Sequence, residues 1–310
     1  MIHDLTRRSF VKTTGVMLTT SPLMAAERAV PATSPRAIRK AVKLGMVSDG
    51  TTVAEKFQLL RDLGYDGVEV SRPSSLPISA LIEARDQTGL PIHGVVNSQH
   101  WGQPLSHPDA AVRDAGRTAL EQALRDCKTL GGSTVLLVPA VVNKEISYFD
   151  AYTRSQTEIR RVLPLAEELG VRIALENVWN NFLLSPMEAA RYVDEFESSW
   201  IGWYFDVGNI VAYGWPEQWV RILGSRIIKL DAKEYSRTKQ NEEGRWRGFD
   251  VKLLDGDCDW SAVMTALDEI GFAGWMTAEL SGGDRTWLAD VAARMDRIIA
   301  IDAAKERTAP

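Results

Sequence analysis

Cysteine and histidine are scarce in this chain: two cysteines, Cys127 and Cys258, and four histidines in 310 residues. Two thiols cannot form a Cys-only zinc site, and their spacing does not say whether they pair. Four imidazoles leave little room for a histidine-rich metal cluster. No stretch approaches the roughly 20 apolar residues that a permanent membrane-spanning helix needs. Nor is there an excess of positive charge. With 36 basic against 41 acidic residues the formal charge is −5, so no global basic field draws the chain onto nucleic acid. Glycine (23) and proline (13) are spread along the chain, which is 45% hydrophobic and 25% charged. These proportions exclude an intrinsically disordered protein, a collagen-like chain and a disulfide-rich mini-scaffold. What remains is a globular chain long enough for a substantial core in one large domain or two ordinary ones.

The first 26 residues read as an address. Arg7 and Arg8 precede Ser9, Phe10, Val11 and Lys12, then a weakly apolar stretch runs from Thr13 to Ala26. This resembles a twin-arginine export signal ending in small residues, Met24-Ala25-Ala26. No cysteine follows it, which argues against lipid anchoring. Cleavage after Ala26 removes one acid and three bases and takes the charge from −5 to −7. The expectation is a periplasmic protein, with the twin-arginine machinery as a partner and no membrane contact after cleavage. Residues 27–40 read as a flexible leader, 41–302 as the folded domain and 303–310 as a frayed tail.

From residue 42 one rhythm repeats: a short apolar run, a loop, then an amphipathic stretch. The runs are VKLGMVS (42–48), DGVEVS (66–71), PIHGVVNS (91–98), STVLLVP (133–139), VRIALEN (171–177), IGWYFDV (201–207), RIIKLDA (226–232) and GWMTAEL (274–280). Little alternation and much Val, Ile and Leu suit strands covered on both faces of a parallel sheet. Val53–Leu63, Ala110–Leu130 and Thr157–Leu169 carry helical periodicity, and Ser185-Pro186 opens another helix. Several helices close on glycine: Gly64, Gly170 and Gly271. Eight strand–helix units predict an α/β fold, a (β/α)8 TIM barrel. A doubly wound open sheet is disfavoured, because MVSDGTTVAE after the first run has no Gly-rich phosphate loop.

In such a barrel the chemistry sits at the C-terminal ends of the strands. Four late strands end in an acid there: Glu176 in strand five, Asp206 in six, Asp231 in seven and Glu279 in eight. One such acid would serve as a helix cap. Four at the same end of consecutive strands need a counter-charge, which a divalent cation supplies. All-oxygen ligation favours Mn²⁺ or Mg²⁺ over zinc.

These positions, with ALENVWNN, the FDVGN turn and TAEL, resemble the xylose-isomerase-like TIM barrels. The closest likeness is to the sugar 3-epimerase branch that includes D-tagatose 3-epimerase and L-xylulose 5-phosphate 3-epimerase, from about Lys43 to Ile301. The resemblance implies one divalent metal held by Glu176, Asp206, Asp231 and Glu279, with Mn²⁺ expected first and Mg²⁺ or Co²⁺ as alternatives. It makes Glu176 and Glu279 the acid/base pair, and Arg237 a substrate-binding residue. Asp231 stands where the family usually has a ligand histidine, with Lys229 two residues earlier on the same face. Asn209 replaces the histidine that often follows Asp206. Either Lys229 or Lys233 can offset the fourth carboxylate, and Lys229 is a candidate for meeting a substrate oxygen.

The implied reaction is proton abstraction beside a carbonyl through an enediolate, with two glutamates serving the two faces of the carbon. Epimerisation or aldose–ketose isomerisation of a keto-sugar follows. Elimination or hydrolysis of a keto-glycoside is the alternative through the same intermediate. His100, Trp179, Trp101, Asn177 and Asn180 are further polar or aromatic groups at the mouth: His100 (on a loop, where a surface histidine is the bland alternative), Asn209 and Trp179 are candidate substrate-binding residues, and Trp179 and Trp101 candidates for stacking on a sugar face. His93 reads as a buried core residue. The segment from Glu234 to Trp260, with Arg237, Arg245, Trp246 and Arg247, is the candidate lid. An AP-endonuclease sharing the fold would need many histidines and would bind a polyanion, which the mature charge disfavours. A non-catalytic periplasmic sugar-binding protein is the rival outside enzymes. It has no use for paired glutamates. Homo-oligomerisation is left open.

Overall fold

Eight parallel strands close on themselves in chain order in the computed structural model, which describes residues 36–301. The export signal, most of the expected leader and the tail lie outside the described residues. The strands are β1 (Ile38–Lys43), β2 (Gly67–Arg72), β3 (Ile92–Asn97), β4 (Thr134–Leu137), β5 (Arg172–Glu176), β6 (Ile201–Asp206), β7 (Ile227–Ala232) and β8 (Gly274–Ala278). Around them run α1 (Val53–Asp62), α2 (Ile78–Thr88), α3 (Ala110–Leu130), α4 (Tyr148–Leu169) and α5 (Pro186–Asp194). Then come the short α6 (Val207–Val211), α7 (Pro216–Leu223), α8 (Arg237–Glu243), α9 (Trp260–Glu269) and α10 (Arg285–Ile299). The core lies between strands and helices, with Phe57, Leu120, Ile159, Tyr192 and Met295 buried against the outer faces of the strands. The expected (β/α)8 barrel is the observed fold. No helix among the described residues is long and apolar enough to cross a membrane.

Two boundaries differ from the sequence reading. The first strand is Ile38–Lys43 rather than 42–48, so residues 38–40 belong to the barrel and not to a leader. Arg39 and Lys40 conceal it. Arg39 lies over the Trp275 ring at 3.9 Å, and the buried Lys40 ammonium meets Asp296 at 2.6 Å. Leu44–Met46, the apolar part of the expected run, forms a 3₁₀ turn instead. The second difference is α4, which starts at Tyr148, nine residues before the apolar periodicity begins, under a cap in which the Ser147 hydroxyl accepts from Asp150 N–H.

Candidate active site

The four strand-end acids converge. One carboxylate oxygen from each of Glu176, Asp206, Asp231 and Glu279 lies within 4.8 Å of the other three. The barrel register brings Asp206 directly opposite Asp231 on neighbouring strands. Glu279 follows β8 directly and enters from the far side of β7. Asp206 and Asp231 are fully buried, whereas Glu279 keeps 31% of its side chain exposed.

Two lysines hold this cluster. Lys43, the last residue of β1, meets Asp231 at 3.0 Å and Glu279 at 3.1 Å. Lys233, just past β7, meets Asp206 at 2.9 Å and Glu279 at 3.0 Å. Lys233 was among the residues expected to offset the acids; Lys43 was not. Its reading as the opening of a strand hid its place at the end of one. Lys233 reaches Asp206 across Gly208, where a Cβ would come within 2.7 Å of the lysine side chain. Glycine is required there by close approach.

Fully ionised, the four carboxylates would exceed the two ammonium groups by two negative charges, which burial resists by raising Glu176, Asp206 and Asp231. Asp231 Oδ1 is buried without a hydrogen-bond partner. An orphaned buried oxygen in an all-oxygen donor set of crowded carboxylates fits a hard divalent cation. Burial, then the neighbouring Glu279, pushes the Glu176 carboxyl up to about 8. Burial acts the same way on Glu279, but Lys233 and Lys43 outweigh it and hold that carboxyl well below its usual range. The two glutamates therefore differ in protonation although they share one site.

Around the acids, local hydrogen bonds fix direction. Asp206 caps α6 by accepting from Asn209 N–H at 2.9 Å. The Asn209 side-chain amide donates to Asp206 Oδ2 at 2.6 Å and to the Asn177 carbonyl at 3.0 Å. Asn209 lines the cavity as expected, yet its NH₂ orients Asp206 and is not available to a substrate. His100 lies in the turn after β3, as expected, but not at the surface. It is buried, lines the cavity, and its Nδ1 accepts from Val138 N–H at 3.2 Å, which leaves Nε2–H as the neutral ring's donor. Burial, then Lys43, lowers the imidazole to about 4. Trp179 also lines the cavity, with its indole N–H donated to the Asn209 carbonyl at 2.9 Å.

Two expected substrate contacts are absent from the cavity. Arg237 donates to the Val211 and Gly214 carbonyls, each at 2.8 Å, and ties down the segment after β6. Free carbonyls nearby compete for its guanidinium, and sequence order cannot show them. Lys229 shares the inward face with Asp231 but sits two residues lower, about 6.6 Å along the strand. There its ammonium meets His93 Nδ1 at 2.6 Å and the His93 carbonyl at 2.8 Å. Burial lowers it to about 8. It belongs to an interior polar layer in which Tyr204 donates to Thr277 Oγ1 at 2.8 Å and meets Glu69 at 3.2 Å. His93 is the buried, hydrogen-bonded residue expected.

The segment after β7 forms one wall of the cavity through Trp246 and Phe249. Its anchor was missed. Glu234 is fully buried and accepts from Tyr235, Leu254 and Cys258 N–H and from the Trp260 indole, at 2.8–3.1 Å. Cys127 and Cys258 are both free thiols.

Residues 57–299 match the profile described as xylose isomerase-like TIM barrel. The chain belongs to that family. An L-ribulose-5-phosphate 3-epimerase, UlaE of Escherichia coli O1:K1, is 26% identical over 231 residues, covering 71% of this chain and 79% of the relative. Among solved structures, an L-ribulose 3-epimerase superposes with a TM-score of 0.71 at 19% identity, covering 88% of this chain and all of that one. The 3-keto-D-glucoside 4-epimerase YcjR of Escherichia coli superposes at 0.70 with 14% identity, covering 85% of this chain and all of the other. These similarities in structure speak for the shared barrel.

Proposed function

We propose that this family member is a metal-dependent sugar epimerase or isomerase that moves a proton next to the carbonyl of a keto-sugar. The convergence of four strand-end carboxylates around an unpartnered buried oxygen carries the reading. The epimerase activities of the relatives agree with it. Glu176, Asp206, Asp231 and Glu279 would hold one divalent ion, Mn²⁺ first, with Mg²⁺ or Co²⁺ as alternatives. Such an ion supplies Lewis-acid polarisation of the substrate carbonyl. Glu176 and Glu279 come from strands three apart in the closed barrel, so one takes the proton from one face of the carbon and the other returns it to the opposite face. Lys43 and Lys233 fix Glu279 from two sides, and His100 offers an N–H to a substrate oxygen. The test is exchange of substrate C–H hydrogen with D₂O, run on protein of measured metal content. Turnover without deuterium in product and without a primary isotope effect at that carbon would overturn the mechanism.

A site of action is proposed from the N-terminal segment. The Arg7-Arg8 signal would direct the chain through the twin-arginine machinery to the periplasm. Detection of residues 1–26 on periplasmic protein, or undiminished export after Arg7→Lys with Arg8→Lys, would count against this.

A further inference from the structure

Above the carboxylate floor the cavity turns aromatic. Its volume is about 500 Å³, with Lys43, Glu176 and Glu279 at the bottom and Trp101, Trp179, Trp246 and Phe249 higher up. Trp101, just after β3, and Trp246, on the segment after β7, both line this cavity. Both indoles are unusually open, at 51% and 70% exposure. Trp246 is supported from behind, with Trp179 at 4.9 Å and Phe249 at 6.3 Å between ring centroids. The Glu234 staple fixes the segment that carries it. Rigid, exposed indoles bordering a polar floor suit the C–H faces of a sugar ring.

The same cavity is poorly made for a phosphate. Its two cationic side chains, Lys43 and Lys233, each bridge two carboxylates. Arg237 is bonded to backbone carbonyls, and Arg245, over the Trp179 ring at 4.0 Å, lines a neighbouring pocket with Tyr213 and Gln240 and not this one. A phosphate dianion placed here would face the acids without a free cationic partner among the lining residues.

We infer that Trp101 and Trp246 form a clamp for a second ring joined to the reacting sugar, so that the substrate is an unphosphorylated keto-glycoside. The nature of the reacting ring rests on the function proposed above; the clamp does not. Affinity for sugars without a free ketone tests it separately. Calorimetric titration of the Mn²⁺-loaded protein compares glucose, glucose 6-phosphate and four disaccharides (cellobiose, maltose, sucrose and trehalose). At least one disaccharide should bind roughly tenfold tighter than glucose. Glucose 6-phosphate should gain nothing over glucose. Trp246→Ala and Trp101→Ala should each abolish the disaccharide advantage while leaving glucose affinity and melting temperature unchanged, since both side chains are exposed. Equal affinity for glucose and all four disaccharides, tightest binding of glucose 6-phosphate, or a disaccharide advantage that survives both substitutions overturns the clamp.

Deuterium exchange separates this from the parent reading. Exchange into D-fructose that is insensitive to Trp246→Ala and no slower than into a 3-keto-disaccharide leaves the proton chemistry standing and removes the glycoside. Tryptophan-dependent disaccharide binding with no exchange into either sugar does the reverse.

Discussion

Glu176 and Glu279 were identifiable from their positions before apolar runs ended, because a buried strand that stops on an acid has few bland explanations when its neighbours do the same. Glu176→Gln or Glu279→Gln keeps the side-chain shape and removes the base. Turnover should fall by roughly 10²–10⁴, as steady-state kinetics at saturating Mn²⁺ would show. His100 carries a pH dependence of stability. Its imidazole stands at about 4 against an ordinary 6.5. Between those values the unfolded chain binds more protons, so His100's contribution is complete above pH 6.5 and is lost as pH falls towards 4. The loss is on the order of 3 kcal/mol. His100→Gln should flatten the acid limb of a denaturant-derived stability profile relative to the parent chain; an unchanged slope would refute the assignment. Arg237 and Lys229 were misplaced for a common reason. A long cation goes to whatever acceptor the fold brings nearby, and neither the Gly214 carbonyl nor His93 is near in sequence.

At the scale of elements, the segment from β7 to α9 was read as a lid on its length, Arg and Trp content. It forms a wall of the cavity and is pinned by one buried carboxylate. Glu234→Ala would strand three backbone N–H groups and an indole N–H, at about 1–3 kcal/mol or more in all. Hydrogen exchange should show faster opening confined to residues 235–260, and any sugar affinity that depends on Trp246 should weaken. Nothing in the pattern KEYSR marked Glu234 as special, since an acid beside a lysine ordinarily reads as a solvated pair. The FDVGN turn was more legible. Asp206 caps α6, and Gly208 admits Lys233. Gly208→Ala should displace Lys233 and alter metal affinity without touching any carboxylate, which isothermal titration with Mn²⁺ would measure.

For the whole molecule, the closed barrel concentrates four acids and two lysines at one mouth, and the excess of negative charge should destabilise the metal-free fold. Mn²⁺ at about 100 times its dissociation constant should add about 2.7 kcal/mol, raising the melting temperature by roughly 5 °C. Asp206→Ala should remove that gain. A melting temperature indifferent to Mn²⁺ and chelator would refute the metal centre.

Periodicity along the chain was enough to determine the barrel, because eight apolar runs alternating with amphipathic helices admit few ways of burying both faces of a parallel sheet. The chain also determined which acids lie at the catalytic end, since that follows from strand direction alone. Closure decided the rest. Only when β8 pairs with β1 does Lys43 come between Asp231 and Glu279, 188 and 236 residues away. Depth within the barrel separates Lys229 from the mouth although it shares a face with Asp231. That Trp101 and Trp246 line one cavity likewise depends on closure of the barrel. Contacts between residues so distant in sequence arise from registers and hydrogen-bond competition that no local pattern records.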